Sequence, residues 1–359
     1  MLLITSYKVY MKFTFIQLNN IQIPEDNFYI ISPEFSKEFE IYISSPAVPY
    51  VYKNEVMNAL IECSPMGEDL GKYDVRALLR KPMICVWEAS GEQELQFQDN
   101  KIEADKYYSG KELRYSDLAI LFSLGAWMVK DCSVYTDLYY FYNADINYSM
   151  KGRRSFQQMN ASGKMEATFF DEEEIRETLN YMILLMEFAF SNMEKNEQIE
   201  SVYSQETLIL NVEAAINSNG KSFNRLLILL QLARKTGLLF EKVSWYCALL
   251  ECLFAIERDH KRNISEMTAM FIANSEAEKI EIVQNMKQAY KVRSEFVHGS
   301  VISFFDNNEQ MMRLSRKVDM YVRRALRRVF TDNNFNYDNT NADRKRVRQY
   351  FQSILKNDI

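Results

Sequence analysis

The chain has few of the residues on which disulfide-stapled or metal-dependent proteins depend. Its 359 residues include five cysteines, two histidines, ten glycines and six prolines. The cysteines (Cys63, Cys85, Cys132, Cys247 and Cys252) are scattered, without a Cys-x-x-Cys pair or a cysteine–histidine spacing typical of zinc. This pattern favours reduced thiols that pack in a core, and we expect a cytoplasmic protein large enough to fold without staples.

Long apolar runs are missing too. The most apolar segments, residues 118–129 and 182–190, are shorter than the roughly 18 residues that a spanning helix needs, so we expect no membrane contact. The first residues lack the basic start, sustained apolar run and small-residue cleavage site of a signal peptide. The sequence contains no phosphate-binding glycine loop, His-Glu-x-x-His, EF-hand or Gly-x-Ser-x-Gly motif, and we infer no metal and no cofactor.

Residues 1–165 have the pattern of a β-rich domain. Alternating aromatic and β-branched runs predict strands at 8–18, 39–45, 83–89, 94–98 and 134–143. One helix is predicted at about 115–130. The polar segment 151–164 contains two glycines and is the candidate linker or long loop. We expect this domain, of unknown role, to sense a signal or bind a partner.

Residues 171–359 show the 3.6-residue period of helices. The predicted helices are 172–194, 203–218, 222–236, 239–258, 264–273, 276–298, 309–331 and 341–356. The segments DEEE (171–174) and SEAE (275–278) are capping boxes that mark helix starts, and Asn263 with Glu266 is a weaker third case. The predicted fold class is α+β, a β-rich domain followed by an all-α bundle.

The segment YKVRSEFVHGS, residues 290–300, is the most informative stretch of the chain. His298 lies five residues after Arg293 and directly before Gly299, where a left-handed glycine would end the helix. By itself this spacing is a weak signal. The other histidine, His260, lies in the charged segment ERDHKRN, and we expect it to be a solvated surface residue.

The neighbouring residues make the segment resemble a known family. RSEFVHG, residues 293–299, is similar to the Arg-x4–6-His motif of HEPN domains, in the Arg-Ser-x-x-Val-His-Gly form of the ApeA-like HEPN group found in bacterial antiphage defence. The preceding helices resemble the helix pair of that group that carries an Ala-Leu-Glu-like segment, here Ala248, Leu250 and Glu251. The resemblance covers about residues 200–335, under half of the chain.

The resemblance implies a helical bundle and a metal-independent endoribonuclease that acts as a homodimer, with Arg293 and His298 as catalytic residues. Histidine can transfer protons near neutral pH, and arginine can hold two phosphate oxygens. A two-fold dimer would bring two copies of each residue to one cleft. The implied role is that of an antiphage abortive-infection effector that cuts RNA, with a phage-derived trigger or an antitoxin as a possible further partner.

Several neighbours of Arg293 have open roles. Tyr290, Arg293 and Val297 share a stripe that directs the arginine toward a groove. Ser294 is a supporting candidate because many HEPN proteins have a polar residue after the arginine. Tyr290 either positions Arg293 or packs in the core with its hydroxyl satisfied, and Glu295 either faces solvent or pairs with a neighbouring basic residue.

Charge is distributed unevenly. The chain carries −6, but residues 313–348 contain eleven basic and four acidic residues, a net +7. In the helix predicted at 309–331 the basic side chains share one face, which we expect to hold the RNA backbone without base specificity. The candidate contacts are Arg313, Arg316, Lys317, Arg324, Arg327 and Arg328. The alternative is an ordinary solvated helix face.

Two other functions stay open at this point. The first is an inactive HEPN scaffold that binds RNA, a nucleotide or a protein partner and retains Arg293 and His298 for packing. The second is the toxin of a toxin–antitoxin pair.

Overall fold

The computed structural model describes residues 12–24, 28–31, 39–44, 81–88, 92–97, 100–143, 145–190, 222–302 and 308–331, with isolated positions at 71, 73 and between 347 and 353. The strands are β1 (Lys12–Asn19), β2 (Ile21–Gln22), β3 (Phe28–Ile31), β4 (Phe39–Ser44), β5 (Met83–Glu88), β6 (Tyr135–Asn143), β7 (Tyr148–Phe156) and β8 (Thr168–Phe169). The helices are α1 (Glu92–Leu95), α2 (Lys101–Val129), α3 (Glu172–Phe190), α4 (Ser222–Lys235), α5 (Leu239–Leu253), α6 (His260–Ile272), α7 (Glu276–Val297) and α8 (Asn308–Thr331).

Six strands form an antiparallel sheet in the order β3-β4-β5-β1-β6-β7, and β2 pairs in parallel with β8. The central strand β1 is covered on both faces, because its adjacent residues Phe15 and Ile16 point in opposite directions and are both buried. Mixed strands and helices, with the helices mostly in the C-terminal half, agree with the predicted α+β class.

Most of the predicted strands are confirmed, and one is wrong. Strands β4, β5 and β6 lie within the predicted runs, and β1 continues one residue past its run, which begins at residue 8, outside the described residues. Residues 94–97 of the run predicted at 94–98 are not a strand, because Glu94 belongs to the short helix α1 and is buried against Lys12, whose Nζ lies 2.8 Å from the carboxylate. A buried ion pair thus fixes a helical turn that the residue pattern does not indicate.

The linker predicted at 151–164 begins as a strand instead. Strand β7 lies at the edge of the sheet against β6, and its Gly152 faces Tyr139. A Cβ atom at Gly152 would lie 2.0 Å from the Tyr139 ring, so this glycine is required by close packing. Edge strands can be polar, which is why the run resembles a loop in sequence.

Local start signals confirm several helices. At α3, Glu174 N–H donates to Asp171 (2.9 Å) and Asp171 N–H donates to Glu174 (3.0 Å), as a capping box requires. At α7, Ser275 Oγ accepts from Glu278 N–H at 3.2 Å. The third signal is wrong, since α6 begins at residue 260 and Asn263 instead donates to a carbonyl of the preceding turn.

The remaining helix predictions have mixed outcomes. The helix expected at about 115–130 begins earlier, at Lys101, where Asn100 accepts from Glu103 N–H at 3.3 Å. The helix predicted at 203–218 lies outside the described residues. So do most of 341–356 and the basic residues 344–346 within it.

The hydrophobic core is continuous across the boundary expected near residue 165. One cluster of buried side chains includes Ile16 and Ile84 of the sheet, Trp127 of α2, and Leu250 and Val322 of the C-terminal helices. Helix α2 carries this continuity, since it packs against both the sheet and α3. The division of the chain at 165 stays a prediction.

The segment that follows β7, residues 157–164, is called the strap here. Hydrogen bonds attach it to two helices. Met159 N–H donates to the carbonyl of Arg234 at 2.7 Å, and Ser315 Oγ donates to the carbonyl of Ala161 at 2.6 Å. These contacts tie the end of the sheet to helices α4 and α8.

A cluster of polar side chains crosses the core beside the strap. The Asp319 carboxylate is buried and accepts from Trp127 Nε1 (2.9 Å), Tyr246 Oη (2.5 Å) and Arg323. Nearby, buried Lys242 donates to the carbonyl of residue 233 at 2.7 Å. Burial lowers the pKa of Lys242 to about 7, although the negative charge of Asp319 opposes this shift.

Candidate active site at the end of helix α7

Helix α7 ends as the sequence predicts. Gly299 has φ +68°, its N–H donates to Phe296 O (3.3 Å), and Ser300 N–H donates to Glu295 O (2.9 Å). These two bonds form the Schellman motif, which satisfies helix-end carbonyls through a left-handed residue. His298 is therefore the C-cap residue, and its side chain is exposed to solvent.

Arg293 lies just over one turn before His298 and is held in place by an acidic residue of another helix. Its Nη2 donates to Glu251 Oε2 of α5 at 2.9 Å, and its guanidinium lies 5.4 Å from the centre of the Tyr290 ring. The Arg293 side chain is 25% exposed and that of Glu251 is 13% exposed. The arginine is thus near the buried face, as expected, with part of its surface open to water.

The other oxygen of Glu251 faces the second histidine. Glu251 Oε1 lies 3.2 Å from His260 Nδ1, but the two groups are not aligned as a hydrogen bond, and within the described residues neither atom has another partner. The His260 side chain is 40% exposed. His260 is therefore a partly exposed surface residue, as expected, but its Nδ1 is buried against a carboxylate.

A strained turn carries the chain from Glu251 to His260. Ala255 (φ +51°) and Asp259 (φ +47°) are both left-handed although neither is glycine. Ala255 and Ile256 donate their N–H groups to the carbonyls of residues 252 and 251, so α5 also ends in a Schellman motif. This turn presents His260 as the first residue of α6, beside the last turn of α5.

The Glu251 carboxylate also affects the pKa values of two neighbouring side chains. Burial, together with the negative charge of Glu251, raises the pKa of the Cys247 thiol to about 12. The same two causes raise the pKa of the Tyr290 hydroxyl, while Arg293 acts in the opposite direction on both groups. Cys247 and Tyr290 are thus uncharged near neutral pH, and Arg293 supplies positive charge beside Glu251.

The remaining neighbours of the motif have separate positions. Glu295 pairs with Lys291, whose Nζ lies 3.7 Å from Oε1, which is one of the arrangements expected. Ser294 accepts from His298 N–H through its main-chain carbonyl, and its side chain has no hydrogen bond to any residue that the structure describes. Val297 is 60% exposed, so the stripe it was expected to share with Arg293 does not stay buried.

Three exposed apolar side chains lie within three residues of His298 in the sequence. Phe296, Val297 and Val301 are 38%, 60% and 88% exposed. Phe296 packs on Phe240 of α5, with ring centroids 5.0 Å apart. A partly apolar surface around an exposed histidine is typical of a protein interface.

Helix α8 has the expected packed face, but many of its basic side chains bind within the protein. Arg324 bonds to the Ile272 carbonyl and to Glu278, Arg328 bonds to the Phe271 carbonyl, and Arg327 bonds to the last carbonyls of α2. These guanidinium groups cap helix ends, so Arg324, Arg327 and Arg328 already have partners within the protein, and their binding of RNA stays a prediction.

The first turns of α8 keep the more exposed cations. Arg313 and Lys317 are exposed, although each lies near a glutamate, and Arg316 bonds to Ser162 of the strap through Nε at 2.7 Å. Arg313 and Lys317 line an open polar groove of about 370 Å³ between α7 and α8. RNA binding by these residues stays a prediction.

Two members of this arrangement were not predicted from sequence as site residues, namely Glu251 and His260. Glu251 lies 42 residues before Arg293, and no local pattern couples them. The only sequence signals are the position of Glu251 in the Ala-Leu-Glu-like segment and the scarcity of histidine.

No protein-family model, curated protein or solved structure matches the chain. In the part of the chain that the structure describes, no three His, Cys, Asp or Glu side chains converge as a metal site. None of the helices described combines the length and the apolar character that crossing a membrane requires.

Proposed function

We propose that the chain is a metal-independent endoribonuclease of the HEPN type that cuts RNA as a homodimer. The observation that carries this proposal is the end of α7, where exposed His298 follows Arg293, a partly exposed cation anchored by Glu251. The arrangement joins a proton-transfer group to a phosphate-binding group on a rigid helix. The resemblance of RSEFVHG to the HEPN motif supports RNA cleavage as the reaction that these two residues would perform.

The reaction needs two proton transfers and a cation. A base removes the proton of the 2′-hydroxyl, the 2′-oxygen attacks phosphorus, and an acid protonates the departing 5′-oxygen. In this proposal the two His298 imidazoles of a dimer act as base and acid. Arg293 stabilises the negative phosphorane that forms between them. The products are a 2′,3′-cyclic phosphate and a 5′-hydroxyl, and no metal is required.

The surface around His298 supports pairing with a second copy. Phe296, Val297 and Val301 offer exposed apolar area next to the imidazole, and a two-fold axis nearby would bring both copies of His298 to one cleft. Light scattering should then give a dimer, and substitution of Val297 by aspartate should reduce both dimer formation and cleavage. Full activity of a strictly monomeric chain would contradict the dimer.

The proposed cellular role is abortive infection, in which RNA cleavage arrests a phage-infected cell. A phage-derived trigger would switch the enzyme on. In a toxin–antitoxin arrangement, a partner protein would instead hold it inactive. This part of the proposal comes from the resemblance to the antiphage group.

A second candidate is a non-catalytic HEPN scaffold that binds RNA, a nucleotide or a protein. One observation favours it, namely that Arg293 is already neutralised by Glu251 at 2.9 Å. In that case Arg293 has a structural role, and His298 contacts a partner.

One assay separates the two functions. Total RNA is incubated with wild type, Arg293→Ala, His298→Ala and the control Lys291→Ala, all with EDTA present. Lys291 is exposed on the same helix, so its loss should leave activity intact. We expect cleavage to fall by about a hundredfold or more in the two motif variants, with cyclic phosphate ends on the wild-type fragments. Equal fragment patterns from all four proteins would favour the scaffold.

A further inference from the structure

Glu251 contacts two groups with different oxygens of one carboxylate. Oε2 accepts from Arg293 at 2.9 Å, and Oε1 lies 3.2 Å from His260 Nδ1. The first contact is an aligned hydrogen bond, whereas the second is not. The carboxylate is therefore committed to Arg293 and only adjacent to His260.

This commitment has a direct effect on any phosphate that approaches Arg293. The carboxylate already occupies a guanidinium donor and cancels the charge that would attract an anion. A phosphate that takes this donor leaves Glu251, only 13% exposed, without its partner. Abandoning a partly buried carboxylate is costly unless another donor replaces the arginine.

His260 is held where it can supply that donor. Its Nδ1 is buried beside Oε1, and within the described residues it makes no hydrogen bond. The left-handed residues Ala255 and Asp259 hold the turn in this position at a conformational cost. At 3.2 Å from Oε1, Nδ1–H needs only alignment to donate a hydrogen bond to the carboxylate.

We propose that Glu251 is an internal substitute for phosphate, which holds Arg293 in the free protein and transfers to His260 when an RNA phosphate binds the arginine. The inference rests on the proposed function, since RNA is its ligand. Glu251 and His260 are positioning residues here, because they act through Arg293 and touch no reacting atom. The transfer moves one hydrogen bond and breaks no covalent bond.

The proposal predicts that two substitutions change the affinity for phosphate in opposite directions. Glu251→Gln removes the competing negative charge, so a phosphate should bind more tightly. His260→Gln removes the imidazole that receives the carboxylate, so a phosphate should bind more weakly. A merely structural role would weaken binding in both cases. The double variant should resemble Glu251→Gln, because without the carboxylate there is nothing to transfer.

The test measures the affinity of a short fluorescent 2′-O-methyl RNA, which lacks the attacking hydroxyl and cannot be cut. We expect binding about threefold to fivefold tighter for Glu251→Gln and about threefold weaker for His260→Gln, the range of a partly exposed ion pair. Glu266→Gln and Arg262→Gln are matched controls, since that exposed pair on α6 has contacts at 2.9 Å, and neither should change affinity. Melting temperatures identify a variant that fails to fold.

The outcomes separate this inference from the nuclease proposal. Equal or weaker binding by folded Glu251→Gln overturns the transfer, even if the wild type cuts unmodified RNA. Unchanged binding by His260→Gln overturns it as well. The expected signs without any cleavage of unmodified RNA would support the transfer and remove the nuclease. Absence of RNA binding by both wild type and Glu251→Gln overturns both proposals.

Discussion

Asp319 and Trp127 lie 192 residues apart in sequence and are joined by a hydrogen bond of 2.9 Å between the carboxylate Oδ1 and the indole Nε1. The same carboxylate accepts from Tyr246 and Arg323, so one buried side chain connects α2, α5 and α8. A buried carboxylate is stable only while such donors surround it. Helix α5, which carries Glu251 of the candidate site, is therefore tied to the helix that covers the sheet.

Asp319→Asn should destabilise the protein strongly. The amide cannot accept from all three donors, and Arg323 keeps its positive charge beside a neutral group. We expect the free energy of unfolding to fall by about 3 kcal/mol, typical of breaking a buried pair on one side. Urea unfolding measures this change, and Glu309→Gln, an exposed residue of the same helix, is the control. A loss as small as that of the control would refute the role of Asp319.

Two arginines of α8 should behave oppositely. Arg327→Met should lower the free energy of unfolding by about 1–3 kcal/mol, because the carbonyls of Met128 and Val129 lose their donors. Arg313→Met should leave stability unchanged, since Arg313 is exposed, but should weaken RNA binding and reduce its salt dependence by about one ion. Measuring RNA binding at several salt concentrations for both variants tests whether Arg313, and not Arg327, contributes to the salt dependence. Equal salt dependence in Arg313→Met and wild type would remove Arg313 from the RNA surface.

Lys242 should make stability depend on pH. Its pKa is about 7 in the folded protein against 10.5 for the free side chain, so the unfolded chain binds more protons between these values. Stability should therefore rise as pH increases above about 7, by at most about 1.4 kcal/mol per pH unit. Comparing urea unfolding of wild type and Lys242→Met from neutral to alkaline pH isolates this contribution. Parallel pH profiles for the two proteins would contradict it.

Ala255→Gly should stabilise the protein although it deletes a methyl group. Alanine at φ +51° carries a steric cost that glycine avoids, and glycine is the usual residue at this position of a Schellman motif. We expect a gain of a few tenths to about 1 kcal/mol in thermal or urea unfolding. Ala248→Gly is the matched control inside α5 and should cost about 1 kcal/mol. A loss in both variants would show that the turn is not strained.

Features governed by neighbouring residues were predictable from sequence. The capping box at Asp171 and the left-handed Gly299 depend on contacts within a few residues, and both are confirmed. Edge strand β7 was missed because it pairs with a neighbouring strand on one side only. Such a strand can be as polar as a loop, so its sequence does not show the pattern of a buried strand. The Glu251–His260 contact was missed because it requires a turn with two left-handed residues, neither of them glycine.

Long-range charge pairing was the least predictable property. The basic face of α8 was correctly assigned from its period, yet its arginines bind carbonyls at the ends of α2 and α6. Helical periodicity gives the direction in which a side chain leaves its helix. It does not give the identity of the group that the side chain meets.

The continuous core has a practical consequence for dissecting the protein. A fragment that starts at Asp171 would lose Trp127, and with it the indole donor to Asp319 and a large part of the apolar cover of the helices. Its newly bared surface would promote aggregation. Toxicity of such a truncated gene product, or the lack of it, would then report on misfolding and carry no information about the chemistry of His298.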